Sequence, residues 1–314
     1  MMTARIPVAL FVYARPEHTR RTLAALRRNH GAAETDVVVF SDAPADSRQA
    51  EAVAAVRKVV RELVTAESGF RSCRLVARDS HLGLANSVIG GVSDVLQERE
   101  AVIVLEDDLV TVPHFLEFMN LGLRTYQDRP DILSVCGCHL PGFERKVPAD
   151  YPWPVWCSKR HLSHGWGTWA ASWTEAWARV AAADLEDLER DADLRAAFDA
   201  GGCDLSAALL RWRREGLDLW AVRFSYAHFL AGAWSVVPRT GYVKNIGYDG
   251  SGANCMWNPL RRLPARLADT VPQSLPADLQ ADPRLLAACR KVIRRRNFFE
   301  QLAGSWVKRG MARS

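Results

Sequence analysis

The first hundred residues alternate between two hydrophobic rhythms. Ile6–Tyr13 is a continuous apolar run, the pattern of a strand covered on both faces. The period then changes, placing Leu23 and Leu26 on one side of a helix and Arg20, Arg21, Arg27 and Arg28 largely on the other. Asp36–Ser41 (DVVVFS) predicts a second strand, Ala50–Val64 a helix and Ser72–Ala77 a third strand. Leu84–Leu96 predicts a helix containing Gly90-Gly91, a local weakness or a point of close packing, and Ala101–Leu105 (AVIVL) a fourth strand. This order predicts an α/β fold, a mainly parallel sheet with helices on both faces. Ligands of such sheets bind beyond the carboxyl ends of the strands, which directs attention to the loops after Tyr13, Phe40 and Leu105.

The second half reads differently. Trp153, Trp156, Trp166, Trp169, Trp173 and Trp177 lie among glycines and polar turns, after a strand-like ILSVC run. Helices are expected around Asp187–Ala200 and Asp204–Glu215, then a mixed segment to Gly252. An extended proline-rich stretch follows from Pro259 to Pro283. From Leu285 onward the pattern is a basic amphipathic helix, with Leu285, Cys289, Val292 and Ile293 on one face.

Composition narrows the class. Of 314 residues, 48% are apolar and 25% charged, as in ordinary globular proteins. The net charge of +5 owes much to Arg290, Lys291, Arg294, Arg295, Arg296, Lys308, Arg309 and Arg313. Aromatic residues do not interleave with these until Phe298, Phe299 and Trp306, so no nucleic-acid partner is expected. A basic amphipathic tail instead suits peripheral contact with an anionic membrane. Seven scattered cysteines fit a reducing compartment. Cys136, Cys138 and His139 have no second pair at zinc-finger spacing, and Cys136, Gly137 and Cys138 read as small buried residues. No apolar run approaches a membrane span, and Ile6–Tyr13 runs into Arg15-Pro16-Glu17 without a cleavage site. The expected location is cytoplasmic.

Glu106-Asp107-Asp108, directly after the fourth strand, carries the chemistry. Three adjacent acids repel one another and are costly to desolvate, whereas helix capping needs only one. In extended chain Glu106 and Asp108 share a side and Asp107 faces the other way. Few protein oxygens then reach one ion, which suits Mg²⁺ or Mn²⁺ completing its shell with phosphate oxygens and water.

The segment AVIVLEDDLVTVPHFLEFMN resembles the acidic-motif region of GT-A (nucleotide-diphospho-sugar transferase) enzymes of the N-acetylglucosaminyltransferase I type and their bacterial relatives. VALFVYARPEHTRRTLAAL resembles their first strand and helix, FSDAP their second strand end, HGWGTWAASW the bacterial glycine–tryptophan segment, and LDLWAVRFSYAHFLAGAWSVVPRTGYVKNIGYDGSGANC the bacterial closing segment. The similarity runs in order over residues 5–256. It implies an inverting glycosyltransferase that uses a nucleotide-sugar donor, by resemblance a UDP-sugar, with Mn²⁺ or Mg²⁺, and a saccharide or lipid-linked acceptor.

The resemblance implies roles one position at a time. Asp108 would ligate the metal, Glu106 and Asp107 would contact the donor's sugar and ribose, and Arg15 and Asp42 would hold the nucleotide. Asp218, before Trp220, matches the base position, although Leu219 stands where the Golgi enzymes have a second aspartate; Asp204 is the second candidate. Trp166 between Gly165 and Gly167 is a candidate sugar platform or a core plug. Asn245 to Gly252, including Gly250, is a candidate flap over the diphosphate. Residues 1–130 would form the donor half, 131–258 the acceptor and catalytic half of the same domain, and 259–314 the connection and tail. The alternatives are a non-catalytic nucleotide-sugar-binding module and a sugar-phosphate nucleotidyltransferase, although Ala14-Arg15-Pro16-Glu17-His18 lacks the glycine-rich phosphate loop of the latter.

Overall fold

Alternate residues of the first strand face two different helical layers. The computed structural model describes residues 5–63, 69–251 and 266–294. Its strands and helices run β1 (Val8–Val12), α1 (Pro16–Arg27), β2 (Asp36–Ser41), α2 (Ser47–Leu63), β3 (Ser72–Ala77), α3 (Leu84–Leu96), β4 (Ala101–Glu106), β5 (Leu109–Thr111), α4 (Phe115–Thr125) and β6 (Ile132–Cys136). They continue with β7 (Val155–Ser158), β8 (Trp166–Trp169), α5 (Ala170–Ala182), α6 (Leu185–Arg190), α7 (Ala192–Phe198), α8 (Leu205–Glu215), α9 (Trp220–Leu230), β9 (Trp234–Pro238) and β10 (Val243–Asn245). A last helix, α10, occupies 283–294.

Strand side chains alternate between faces, so each parity of β1 meets its own layer. Val8, Leu10 and Val12 pack with Leu23 and Leu26 of α1, Val56 and Val60 of α2, and Leu116 and Met119 of α4. Ala9 and Phe11 pack with Val88 and Val92 of α3, Trp173 of α5, and Trp220 and Phe224 of α9. The result is a mixed α/β fold with a central sheet flanked by helices. A Cβ on Gly91 would lie 2.6 Å from the Phe11 ring, while one on Gly90 would meet nothing within 4 Å. Close packing of α3 on β1 therefore accounts for one glycine of that pair.

The large sheet has the order β3-β2-β1-β4-β8-β6-β9-β7. Its β3-β2-β1-β4 half is parallel throughout. The other half departs from the expected parallel pattern: β8 runs antiparallel to both β4 and β6, and β7 antiparallel to β9, while β6 and β9 are parallel. The glycine–tryptophan segment is thus an inserted, reversed strand and not a surface turn.

Helical periodicity over Asp187–Ala200 resolves into α6 and α7, because the Asp191 carboxylate accepts from the amides of Asp193 and Leu194 and restarts the helix there. In α10, Leu285, Cys289 and Ile293 pack with Cys136, Trp156 and Val237 in a third core cluster. That face belongs to the protein's own core; Arg290, Lys291 and Arg294 are exposed. Arg295, Arg296, Phe298, Phe299, Trp306, Lys308, Arg309 and Arg313 lie outside the described residues, as do Gly252 and residues 259–265. Among the described residues, no helix is long and apolar enough to cross a membrane.

Candidate active site

Parallel strands β1 and β4 end side by side, with Phe11 in register with Glu106. Glu106 is the last residue of β4, and Asp107 and Asp108 form the turn into β5. The chain leaving β1 therefore passes next to the acids, and Arg15, at the head of α1, reaches them. Its guanidinium pairs with Asp107 Oδ1 and lies 3.1 Å from Asp108 Oδ2. Asp107 is further fixed by its neighbours: its carbonyl accepts from Thr22 Oγ1 at 2.7 Å, and its Oδ2 from the Tyr13 amide at 3.4 Å.

One guanidinium faces three acids, and the imbalance appears in the acidities of Glu106 and Asp107. Burial raises the Glu106 carboxyl to about 8, with the negative charges of Asp108, Asp107 and Asp218 adding to the effect and Arg15 opposing it. Burial also raises Asp107, against the opposing pull of Arg15. The Arg15 guanidinium, despite the cost of its own burial, is held more firmly protonated by Asp107 and Asp108.

The glycine-rich loop closes the other side. Strand β10 pairs with β5, placing Asn245 opposite Leu109. The Ile246 amide then donates to the Asp108 carbonyl at 2.8 Å, and the Gly247 amide to Asn245 Oδ1 at 2.7 Å. Asp249 lies 3.1 Å from His18 Nε2 of α1, and Gly250 takes φ +89° at the exposed turn. Ile246 and Gly247 thus lie directly against Asp108.

Asp218 stands on the remaining side. Its two oxygens accept from the Leu84 and Ala85 amides, each at 2.5 Å, capping α3 from a distant part of the chain. Asp42 holds the segment just before that helix, accepting from the amides of Ala43, Leu82 and Gly83 at 2.9 to 3.0 Å and lying 3.0 Å from His81 Nδ1. Its carboxylate is buried, so it contacts the loop walls. Tyr13 and His81, whose rings lie 5.5 Å apart, stand beside it.

Arg15, Glu106, Asp107, Asp108, Asp218 and Asn245 therefore border one site, with Asp42 behind its wall, while Gly250 lies at the exposed turn of the loop. Two candidates lie elsewhere. Asp204 sits at the start of α8, where both its oxygens meet Arg160, at 2.7 and 2.9 Å. Trp166 is fully buried, because its register opposite Val104 turns it toward the α3–α5–α9 layer. There it stacks on Trp220 at 5.2 Å and packs near Trp173 and Phe224, which corrects the sugar-platform reading in favour of the core plug. His161 is buried against the same ring, 4.8 Å away. Sequence reasoning placed Gly247 in the candidate flap without singling it out, and missed Tyr13 and the His18–Asp249 pair. The glycine-rich NIGYDG string signalled the first; the others arise only from tertiary approach.

No protein-family model and no curated protein matches the chain. Among solved structures it is similar to the mannosyltransferase PcManGT from Pyrobaculum calidifontis, solved with GDP-Man and Mn²⁺. The identity there is 15% over 53% of this chain and 45% of that one, with a TM-score of 0.35. It is also similar to TarS from S. aureus, at 14% identity over 76% of this chain and 36% of that one, with a TM-score of 0.43. For the TarS 1–349 form the values are 12%, 76%, 60% and 0.41. The chain spans less than two thirds of each of these proteins.

Proposed function

We propose that this chain is a metal-dependent glycosyltransferase of the GT-A type, moving a sugar from a UDP-sugar to a hydroxyl of a saccharide or lipid-linked acceptor with inversion. One observation carries the reading: the Glu106-Asp107-Asp108 turn, Arg15, Asp218 and the Ile246–Gly247 backbone converge at the carboxyl ends of β1 and β4. That is where an open α/β sheet binds its ligands.

The residues fit a divalent cation, since three carboxylates face a single arginine and burial holds Glu106 up to about 8. Asp108, supported by Asp107, would hold Mn²⁺ or Mg²⁺, which when bound offsets the charge growing on a diphosphate leaving group. Arg15 is placed to share that charge. The backbone of Ile246 and Gly247 covers Asp108, and Asn245 shapes that turn through the Gly247 amide. Asp42 orients the loop over 81–83, where Tyr13 and His81 offer flat surfaces to a base. Asp218 is the acceptor-side base, beside Glu106 at the head of α3.

A second reading, a nucleotide-sugar-binding module without turnover, draws on one observation. Both oxygens of Asp218 already accept backbone amides, and both of Asp204 meet Arg160. Calorimetric titration of UDP and UDP-sugars, with and without Mn²⁺, on wild type and Asp108→Ala tests the donor site common to both. Binding that requires both Mn²⁺ and Asp108 is expected, and binding indifferent to both overturns the assignment. Release of UDP from a UDP-sugar in the presence of acceptor then separates enzyme from module.

A further inference from the structure

At the far end of α1 from Arg15, about 18 Å along the helix at 1.5 Å per residue, two histidines and a glutamate converge. His114 Nδ1 lies 2.7 Å and His30 Nδ1 3.1 Å from the same oxygen, Glu117 Oε2. The three ligand atoms all lie within 4.8 Å of one another, and the two rings meet edge to face at 4.6 Å. Nothing in the donor-site chemistry uses them.

The surroundings hold these side chains in place. The His30 amide donates to the Pro113 carbonyl at 2.9 Å, tying the end of α1 to the residue before His114. Asn29 adds two bonds, donating to Thr111 Oγ1 at 2.9 Å and accepting from the Leu116 amide at 3.0 Å. His114 is the residue before α4 and Glu117 lies in its first turn, three positions on, so both project from one side of the helix.

We propose that His30, His114 and Glu117 form a zinc site, separate from the donor site, that clamps the end of α1 to the start of α4. Two imidazoles and one carboxylate are zinc's usual ligand types, and imidazole favours it over the harder Mg²⁺ or Mn²⁺. Tetrahedral bonds of 2.0–2.1 Å place ligand atoms about 3.3 Å apart, close to the separations seen from Glu117. Binding replaces the Nδ1 protons that otherwise bond to Glu117, and the exposed side of the cluster leaves a fourth position to water.

The test is calorimetric titration of Zn²⁺ alone into the metal-stripped full chain, followed by a thermal melt. Wild type, Asp108→Asn, His30→Asn and His114→Gln are compared. One site is expected to survive Asp108→Asn, to weaken about tenfold or more in both histidine variants, and to raise Tm only while intact. Co²⁺ should give the intense visible absorption of four-coordination in wild type and lose it in His30→Asn. Because His30 is exposed, that variant decides the matter even if His114→Gln folds poorly. Zn²⁺ binding unchanged in His30→Asn, binding abolished by Asp108→Asn, or no binding by wild type would each overturn the proposal.

Discussion

Gly247 lies so close to Asp108 that a Cβ added to it would overlap the Asp108 carboxylate and also sit 3.0 Å from an Arg15 nitrogen. The backbone of the flap is packed against the proposed metal ligand itself. Gly247→Ala must therefore move either the loop or the carboxylate. A displacement of about an ångström at a reacting site costs on the order of a hundredfold. The variant should lose UDP-sugar turnover by about that factor while its Tm stays near wild type, since the strain is local. Wild-type turnover in Gly247→Ala would show that the loop does not bear on the site.

Asp218 is both a helix cap and the proposed base, and the two roles separate experimentally. Asp218→Asn keeps one acceptor oxygen for the α3 amides, so the loss of stability should fall within the usual cap range of about 0.5–2 kcal/mol. As a base, its loss should cost about 10²- to 10⁴-fold in kcat with UDP affinity unchanged. Asp204→Asn should break the Arg160 pair and alter stability, yet leave kcat within a few-fold. A lower Tm with full kcat in Asp218→Asn would leave Asp218 as a cap alone.

The parallel half of the sheet was legible because β1, β2 and β4 are mostly apolar runs of strand length, and they and the more exposed β3 are separated by helical periodicity. The reversal of β8 was not, since strand direction leaves no mark on a four-residue segment such as WGTW. Trp166 shows the same limit: its flanking glycines suggested an open platform, but only its pairing with β4 reveals which layer it faces. The acids and Arg15 were legible as lying at one edge of the sheet because both follow the carboxyl ends of strands, but the pairing of β1 with β4 that makes them neighbours was not. The cap that Asp218 places on α3 spans 134 residues of sequence and depends on tertiary approach alone.

A buried histidine pair predicts how stability depends on pH. His228 Nε2 lies 2.9 Å from Ser134 Oγ and 3.1 Å from Ser235 Oγ, and Ser134 Oγ lies 3.1 Å from His161 Nδ1. Burial lowers His228 to about 4, partly offset by its bond to the Phe224 carbonyl, and burial with the nearby His228 lowers His161 well below its usual value. Both are neutral when folded, and the unfolded chain takes up their protons as pH falls below the ordinary histidine value. The stabilisation is complete above that value and is lost down to about 4 for His228, with a slope approaching 1.4 kcal/mol per pH unit for each group, roughly 2.303RT. Denaturant unfolding between neutral pH and the acid limb should show this loss, and His228→Gln should have a flatter profile by about one proton. An unchanged slope would rule His228 out.

Arg15 provides the last prediction, because it already does part of what a cation at this site would do. It neutralises Asp107 and Asp108 from a mostly buried position. Removing one partner of a buried pair leaves uncompensated charge, at about 3–5 kcal/mol. Arg15→Ala should therefore melt well below wild type without metal. If Mn²⁺ binds the same carboxylates, it should raise the Tm of Arg15→Ala by more than it raises wild type, because in the variant it relieves a repulsion that arginine otherwise offsets. Asp108→Ala should show little Mn²⁺ response in either background. Equal Mn²⁺ shifts in wild type and Arg15→Ala would mean that arginine and metal act on different acids, and would move the metal away from the turn after β4.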